Sequence, residues 1–424
     1  MSRTHFQKLM NTPEHTPTAA VSIEECQVEI ESICSDLERY QHGLNQLTDL
    51  SEASEYIPDA SLEHLALFES AIGNIENVTG IDLAFPAMES YKGTCISQET
   101  FRERVSQIIN WIIERFKALM SWIGNFWNAL TDEIRYQRVR LKFIKETLHQ
   151  KQGRFPKEIS LSLTGIAPWL LVRGGLPTQS QQILKELKNQ TDILADLKSR
   201  YVPIIEDTMR RVSAAMASNE WKNEASDLWL TNLNEAAKGI SVATLKPVLS
   251  SFYTLSDPRF PSGAAWSSIP FLGDRCVILV DGARGNKLSD DPIERARQTQ
   301  NTVLLFRRPK PNPPNYDNLK PEITAFGSNE ISDIIKRVEV LLDDVEAINI
   351  RSFETKMHDL MSKLETLSRN IPEQGRSQAL VQAGVGYVTA MRVWSKEPFM
   401  AMAGHSLRVC GALITLCNRA LKNL

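Results

Sequence analysis

Residues 101–130 constrain the fold of this chain more than any other stretch. Apolar side chains recur there every three or four positions, which is the spacing of one face of an α-helix. That face consists of Phe101, Val105, Ile108, Ile112, Phe116, Leu119, Ile123, Phe126 and Leu130, and it is widened by Trp111, Trp122 and Trp127. The stretch therefore predicts a long amphipathic helix that packs into a core. A helix lying in a membrane interface is the alternative, because both environments accept such a face.

The next residues, 134–157, carry eight basic side chains and a single acidic one, Glu146. Four of the basic residues, Arg135, Arg138, Lys142 and Lys145, are three or four positions apart, so a continued helix aligns them along one side. Together with Arg140 they form the best candidate surface for contact with DNA phosphates. The alternative is a basic helix face that only contacts solvent.

The rest of the chain combines helical patterns with a few short strand patterns. Alternating or β-rich runs at 158–165, 274–282, 301–310 and 322–326 predict strands, and the last hundred residues return to helical spacing. Pro203 is expected to kink or interrupt a helix, and Gly384 and Gly386 are expected to allow close helix packing. The predicted fold class is mainly α: helical bundles with a small antiparallel β element in the middle region (α+β).

Charge is divided unevenly along the chain. Residues 1–89 contain 16 acidic and 3 basic side chains, a net charge of 3 − 16 = −13. The remaining residues contain 51 − 16 = 35 acidic and 48 − 3 = 45 basic side chains, a net charge of +10. Such asymmetry indicates polyanion binding or an acidic regulatory tail that masks the basic part.

The sequence shows no recognisable enzymatic motif. The seven histidines have no metal-ligand spacing, and neither a phosphate-binding glycine loop nor a nucleophile elbow is present. The chain is therefore predicted to be non-enzymatic, with no cofactor and no metal. The six cysteines form no CxxC pair and are interpreted as reduced thiols. The first residues contain no apolar run typical of a secretory signal, so none is expected, and no run of 18 uncharged apolar residues occurs.

The order of these segments resembles the internal head proteins of phiKZ-like jumbo tailed phages. The residues that carry the resemblance are FRERVSQIINWIIERFKALMSWIGNFWNAL (101–130) and WSSIPFLGDRCVILVDG (266–282). The resemblance implies an acidic N-terminal propeptide, which a prohead maturation protease removes by cutting after glutamate in a small-x-Glu context. That pattern occurs nine times here. Ala87-Met88-Glu89 lies in a predicted linker where the charge changes sign, so cleavage is expected there, with Ser90 as the new N-terminus.

The resulting division is an acidic helical propeptide (1–89), an amphipathic and basic helical segment (90–157), a mixed helical and β region (158–328) and a C-terminal helical region (329–424). The expected protein is a virion component made in the host cytoplasm and packaged inside the capsid. Its expected partners are double-stranded DNA, bound without sequence preference, and other internal head proteins, and ejection into the host is a further expectation. Two alternatives remain open, a membrane-active protein that uses residues 101–130 and an intracellular helical adaptor.

Overall fold

The computed structural model describes residues 22–33, 35–36, 98–218, 226–249, 252–255, 263–308, 321–348, 362–363, 375–396 and 398–424. Within these ranges the protein is mainly helical and has two small antiparallel sheets. The predicted mainly α class with a small β element is therefore confirmed.

Ten α-helices of at least four residues are found within the described ranges. The first, α1, covers residues 23–33 and 35–36. The second, α2, runs from Gln98 to Gln150, so the predicted amphipathic stretch and most of the basic run form one helix of 53 residues. At 1.5 Å per residue, α2 is about 80 Å long. The others are α3 (Ser180–Asp196), α4 (Val202–Met216), α5 (Ser226–Ala236), α6 (Val242–Leu245), α7 (Pro292–Gln300), α8 (Ser328–Glu346), α9 (Gly375–Lys396) and α10 (Phe399–Asn423).

The apolar face of α2 packs into the core. Leu119, Ile123, Phe126 and Leu130 are buried, together with Ile113 and Trp127. This confirms the core interpretation for the part of the face that is described. The side chains of Phe101, Val105, Ile108, Ile112 and Phe116 lie outside the described residues.

Pro203 explains how α3 passes into α4. Proline has no N–H, so an uninterrupted α-helix would leave one carbonyl of the preceding turn without its usual donor. The chain instead forms a wider π-helical turn over Leu197–Tyr201, in which the Val202 N–H donates to the Leu197 carbonyl five residues earlier. The predicted interruption is confirmed as a change of helix type.

Six short strands make up the two sheets. In the larger sheet the antiparallel order is β2 (Tyr253–Thr254), β3 (Ala265–Ser267), β4 (Cys276–Val280) and β5 (Val303–Arg307). In the smaller sheet β1 (Ser160–Ser162) pairs with β6 (Glu322–Thr324), which lies far away in sequence. The strand patterns predicted β1, β4, β5 and β6, but they missed β2 and β3.

The C-terminal helix α10 lies at the centre of the fold. Of its 25 residues 18 are buried, and it packs against α2, α8 and β5. Residues 383–423 have the length and composition of a membrane-crossing segment, but 78% of their most apolar 18 residues is buried inside the protein. A central core helix has the same composition, so this observation is weak evidence for a membrane span.

Gly384, Gly386 and the described cysteines are also buried. A Cβ at Gly384 would collide with the ring of Trp229, and one at Gly386 with the side chain of Gln300, which confirms their predicted role in close packing. The thiols of Cys26, Cys276, Cys410 and Cys417 are buried. Burial raises the pKa of the Cys417 thiol to about 12. Cys34 and Cys95 lie outside the described residues.

Candidate polyanion-binding surface

The predicted basic residues all lie on the C-terminal half of α2. Ile134, Leu141 and Ile144 are buried on the core-facing side of this half. Helical spacing therefore turns Arg135, Arg138, Lys142 and Lys145 outwards, and all four are exposed. We call these four residues the α2 stripe.

Two residues of the α2 stripe are paired with acidic side chains of α8. Arg138 Nη2 lies 2.8 Å from Asp343 Oδ1 and also contacts the Glu346 carboxylate. Lys145 Nζ lies 2.6 Å from Glu339 Oε1. These pairs are roughly half exposed, and ion pairs of this kind contribute about 0–1 kcal/mol each.

Arg135 and Lys142 have different surroundings. Arg135 lies 3.2 Å from Asp132 one turn earlier in α2, and its side chain is 74% exposed. Among the residues that the structure describes, no acidic group lies within 4 Å of Lys142. Among the described residues, these two cations are therefore the members of the α2 stripe that have no partner on α8.

Arg140 does not belong to the α2 stripe, although the sequence analysis grouped it with these residues. It follows Arg138 by two positions, so it lies on a different side of the helix. Its guanidinium donates to Thr415 Oγ1 on α10 at 3.2 Å and lies 5.7 Å from the centre of the Tyr136 ring. Arg140 therefore helps to attach α2 to α10.

Basic residues also follow the end of α2 in the sequence. Arg154 and Lys157 are exposed, and between them Phe155 is 87% exposed. Lys151 instead donates to the Leu421 carbonyl at 2.7 Å. The cations were predicted from the sequence, but the exposure of Phe155 was not. Phe155 lies in a basic run just after Gly153, and this position could have indicated an exposed loop.

Burial also affects two carboxylates close to this surface. It raises the pKa of Glu133 on α2, a shift that Glu24 of α1 increases and that Gln137 and Arg140 oppose. On α8, burial raises the pKa of Asp344, and Asp343 adds to the shift while Lys198 reduces it. Both carboxylates therefore bind a proton more readily than an exposed carboxylate does.

A cavity of about 270 Å³ lies where the end of α2 meets the start of α8. It is lined by Lys145, His149 and Lys336, together with the polar side chains of Ser328 and Asn329. The cavity extends the basic surface beyond the α2 stripe. Lys336 is also within 3.6 Å of Asp333.

The predicted cleavage residues Ala87, Met88, Glu89 and Ser90 lie outside the described residues. The structure does describe α1, which precedes them in sequence, and α2, which follows them. Cys26, Ile30 and Ile33 of α1 belong to the same hydrophobic core as α2 and α10. Within the described ranges, no group of three or more His, Cys, Asp or Glu side chains is arranged to hold a metal ion.

Comparison with known proteins identifies one family. The model of the phiKZ-like phage internal head proteins matches residues 19–419. No curated protein and no solved structure matches the chain.

Proposed function

Because the chain belongs to the phiKZ-like phage internal head proteins and is thus a structural protein inside the virion head, we propose that it associates with packaged double-stranded DNA after removal of its acidic N-terminal segment. A maturation protease of the prohead makes this cut in the proposal. Other internal head proteins are further partners, and the protein enters the host with the genome.

The observation that carries the proposal is the position of the α2 stripe. Four cations project from one side of a long helix, and Arg154 and Lys157 are exposed just beyond its end. Basic side chains bind duplex DNA by releasing the counterions condensed on its phosphates, and this needs no contact with bases. A non-specific binder therefore needs only such an accessible row of cations.

The ion pairs to α8 do not prevent this role. Each pair is exposed and weak, whereas several phosphates of one duplex act together. In the proposal, Arg135 and Lys142 contact phosphates first. Arg138 and Lys145 then exchange the α8 carboxylates for phosphates, and Arg140 contributes from the edge of the same helix.

Charge reversal tests this assignment. The double substitution R135E/K142E is expected to weaken binding of a short duplex at low salt and to reduce the salt slope by about 2, because two phosphate contacts are lost. Fluorescence anisotropy across a salt series measures both quantities. The matched control is K185E/K188E, which makes the same charge change on exposed residues of α3. Equal weakening by the two variants would attribute binding to net charge and would contradict the role of the α2 stripe.

Neutralising the acidic partners tests the exchange step. The variant E339Q/D343N/E346Q removes the carboxylates that pair with Arg138 and Lys145. We expect tighter DNA binding, because Arg138 and Lys145 no longer have to leave carboxylate partners before they contact phosphates, and an unchanged salt slope, because the number of phosphate contacts stays the same. Circular dichroism checks that the helical content is unchanged. Unaltered affinity in a folded variant would show that Arg138 and Lys145 do not reach DNA.

The proposed cut follows Glu89. Removal of residues 1–89 deletes a net charge of −13 and leaves a chain of net charge +10. An acidic segment of this size disfavours contact with DNA before maturation, since like charges repel. Peptide mapping of purified particles is expected to find Ser90 at the N-terminus. A chain that still begins at Met1 would refute the proposed cleavage.

A further inference from the structure

The helix α1 occupies a groove on the body of the protein. Its apolar residues Cys26, Ile30 and Ile33 follow one another at helical spacing and are 0–4% exposed. The groove is lined by Trp169, Arg275, Met400, Ala401, His405 and Arg408. We call it the α1 groove.

Charge complementarity accompanies this apolar contact. Arg408 Nη2 donates to Glu24 Oε1 at 2.9 Å and to Gln27 Oε1 at 3.5 Å. At the other end of α1, Asp36 pairs with Arg115 of α2 at 3.5 Å. An acidic helix therefore lies against basic side chains at both of its ends.

The fit depends on small and aromatic residues of the body. A Cβ at Gly404 would collide with the side chain of Gln27, so this glycine lets α1 approach α10 closely. The Arg408 guanidinium lies 5.1 Å from the centre of the Trp169 ring, which places its charge at the edge of the groove. The surface thus has a defined shape as well as a charge.

The contact between α1 and the α1 groove leaves a cavity. A cavity of about 260 Å³ separates Glu24, Gln27 and Glu31 of α1 from Arg275 and His405 of the body. His405 donates from Nε2 to the Leu272 carbonyl at 2.6 Å, while its buried Nδ1 has no partner among the described residues. Packed protein cores rarely contain such a gap or an unpaired buried polar atom.

The covalent link to the body is long. The sequence places 61 residues, 37–97, between α1 and α2. A helix as short as α1 is only marginally stable by itself, and a tether raises its local concentration at the groove. After a cut in residues 37–97 the helix must bind as a separate molecule and bear the full entropic cost of association.

We propose that the α1 groove is a docking surface for an acidic amphipathic helix, and that residues 22–36 are its intramolecular occupant until the chain is cut between α1 and α2. The natural position of the cut rests on the proposed function, but the docking does not. Maturation then uncovers a second basic surface, separate from the α2 stripe. The groove recognises three apolar side chains on one helix face, with a carboxylate near the first of them.

The test uses the full chain with a site-specific protease sequence inserted between Met88 and Glu89. After cutting and dilution, size-exclusion chromatography is expected to separate the N-terminal fragment from the body. A fluorescent peptide of residues 19–40 is expected to bind the separated body at least tenfold more tightly than it binds the uncut protein, in which α1 already fills the groove.

Charge exchange makes the assignment specific. The substitution R408E in the body is expected to weaken peptide binding at least tenfold, and the peptide variant E24R is expected to restore it. The substitution K142E, on the α2 stripe, serves as the control and should leave peptide binding unchanged. DNA binding is measured on the same samples, so loss of peptide binding with intact DNA binding separates this proposal from the proposed function.

Three results would overturn the docking proposal. The first is an N-terminal fragment that stays with the body at every dilution. The second is a cut body that loses its helical circular dichroism, because α1 would then be an integral part of the core. The third is a peptide that binds cut and uncut protein equally well, or whose binding is insensitive to R408E.

Discussion

Replacement of Trp394 by alanine is expected to lower the free energy of unfolding by about 3–5 kcal/mol, which is the usual cost of removing a large buried aromatic side chain. Trp394 lies on α9 and is 1% exposed. Its indole Nε1 donates to the Thr302 carbonyl just before β5 at 3.0 Å, and its own carbonyl accepts from Tyr201 at 3.1 Å. The Trp394 ring therefore joins α9 to the residue that precedes β5. The Trp394 carbonyl joins α9 to Tyr201, the last residue of the π-helical turn.

Chemical denaturation followed by circular dichroism measures this loss. The variant W394F is the matched control, since it keeps an aromatic ring but leaves the Thr302 carbonyl without its donor. We expect W394F to cost less than W394A, about 1–3 kcal/mol for the unpaired buried group. Equal and small effects of both substitutions would show that α9 does not depend on this contact.

Acidification is expected to destabilise the full-length protein through His405. Burial lowers the pKa of this histidine from its ordinary value to about 3. The Leu272 hydrogen bond opposes the shift, whereas the nearby Arg275, Arg408 and Arg308 increase it. The unfolded chain therefore binds a proton below pH about 6.5 that the folded chain does not bind. Stability is fully present above that pH and falls by about 1.4 kcal/mol for each pH unit below it, until the folded-state pKa is reached.

The variant H405Q isolates this effect, because glutamine can still donate to the Leu272 carbonyl but does not titrate. Between pH 7 and pH 5 the wild-type protein is expected to lose about 2 kcal/mol more than H405Q. Glu133 and Asp344 titrate in both proteins and so cancel in the comparison; their raised pKa values act in the opposite direction. Identical pH dependence of the two proteins would contradict a buried neutral histidine.

The local structure was largely predictable from the sequence. Apolar spacing correctly indicated α2 and α8, because a helix in a water-soluble fold buries the residues that recur on one face. Apolar and β-branched runs indicated β4 and β5, because strands of a packed sheet bury such side chains. The strands β2 and β3 were missed because neither lies in a longer alternating or β-rich run, whereas the equally short β1 and β6 lie within such runs at 158–165 and 322–326.

The candidate surface was predictable only in part. Spacing alone showed that Arg138 and Lys145 share a side of α2. Their acidic partners Asp343 and Glu339 lie 205 and 194 positions away, and no local pattern connects residues at such distances. The sequence also indicated an acidic N-terminal helix, but it did not indicate that Ile30 would be buried against the body.

The order of residues along the chain was enough to predict most helix and strand positions, the division of charge and the family resemblance. The spacing of apolar residues and the charge of a segment can both be read from a continuous stretch of sequence. The pairing of β1 with β6, the neutralisation of Arg138 by α8 and the docking of α1 against Arg408 were decided by tertiary packing. Those contacts join distant segments, and they form only when burial of the helix faces around α10 brings the segments together.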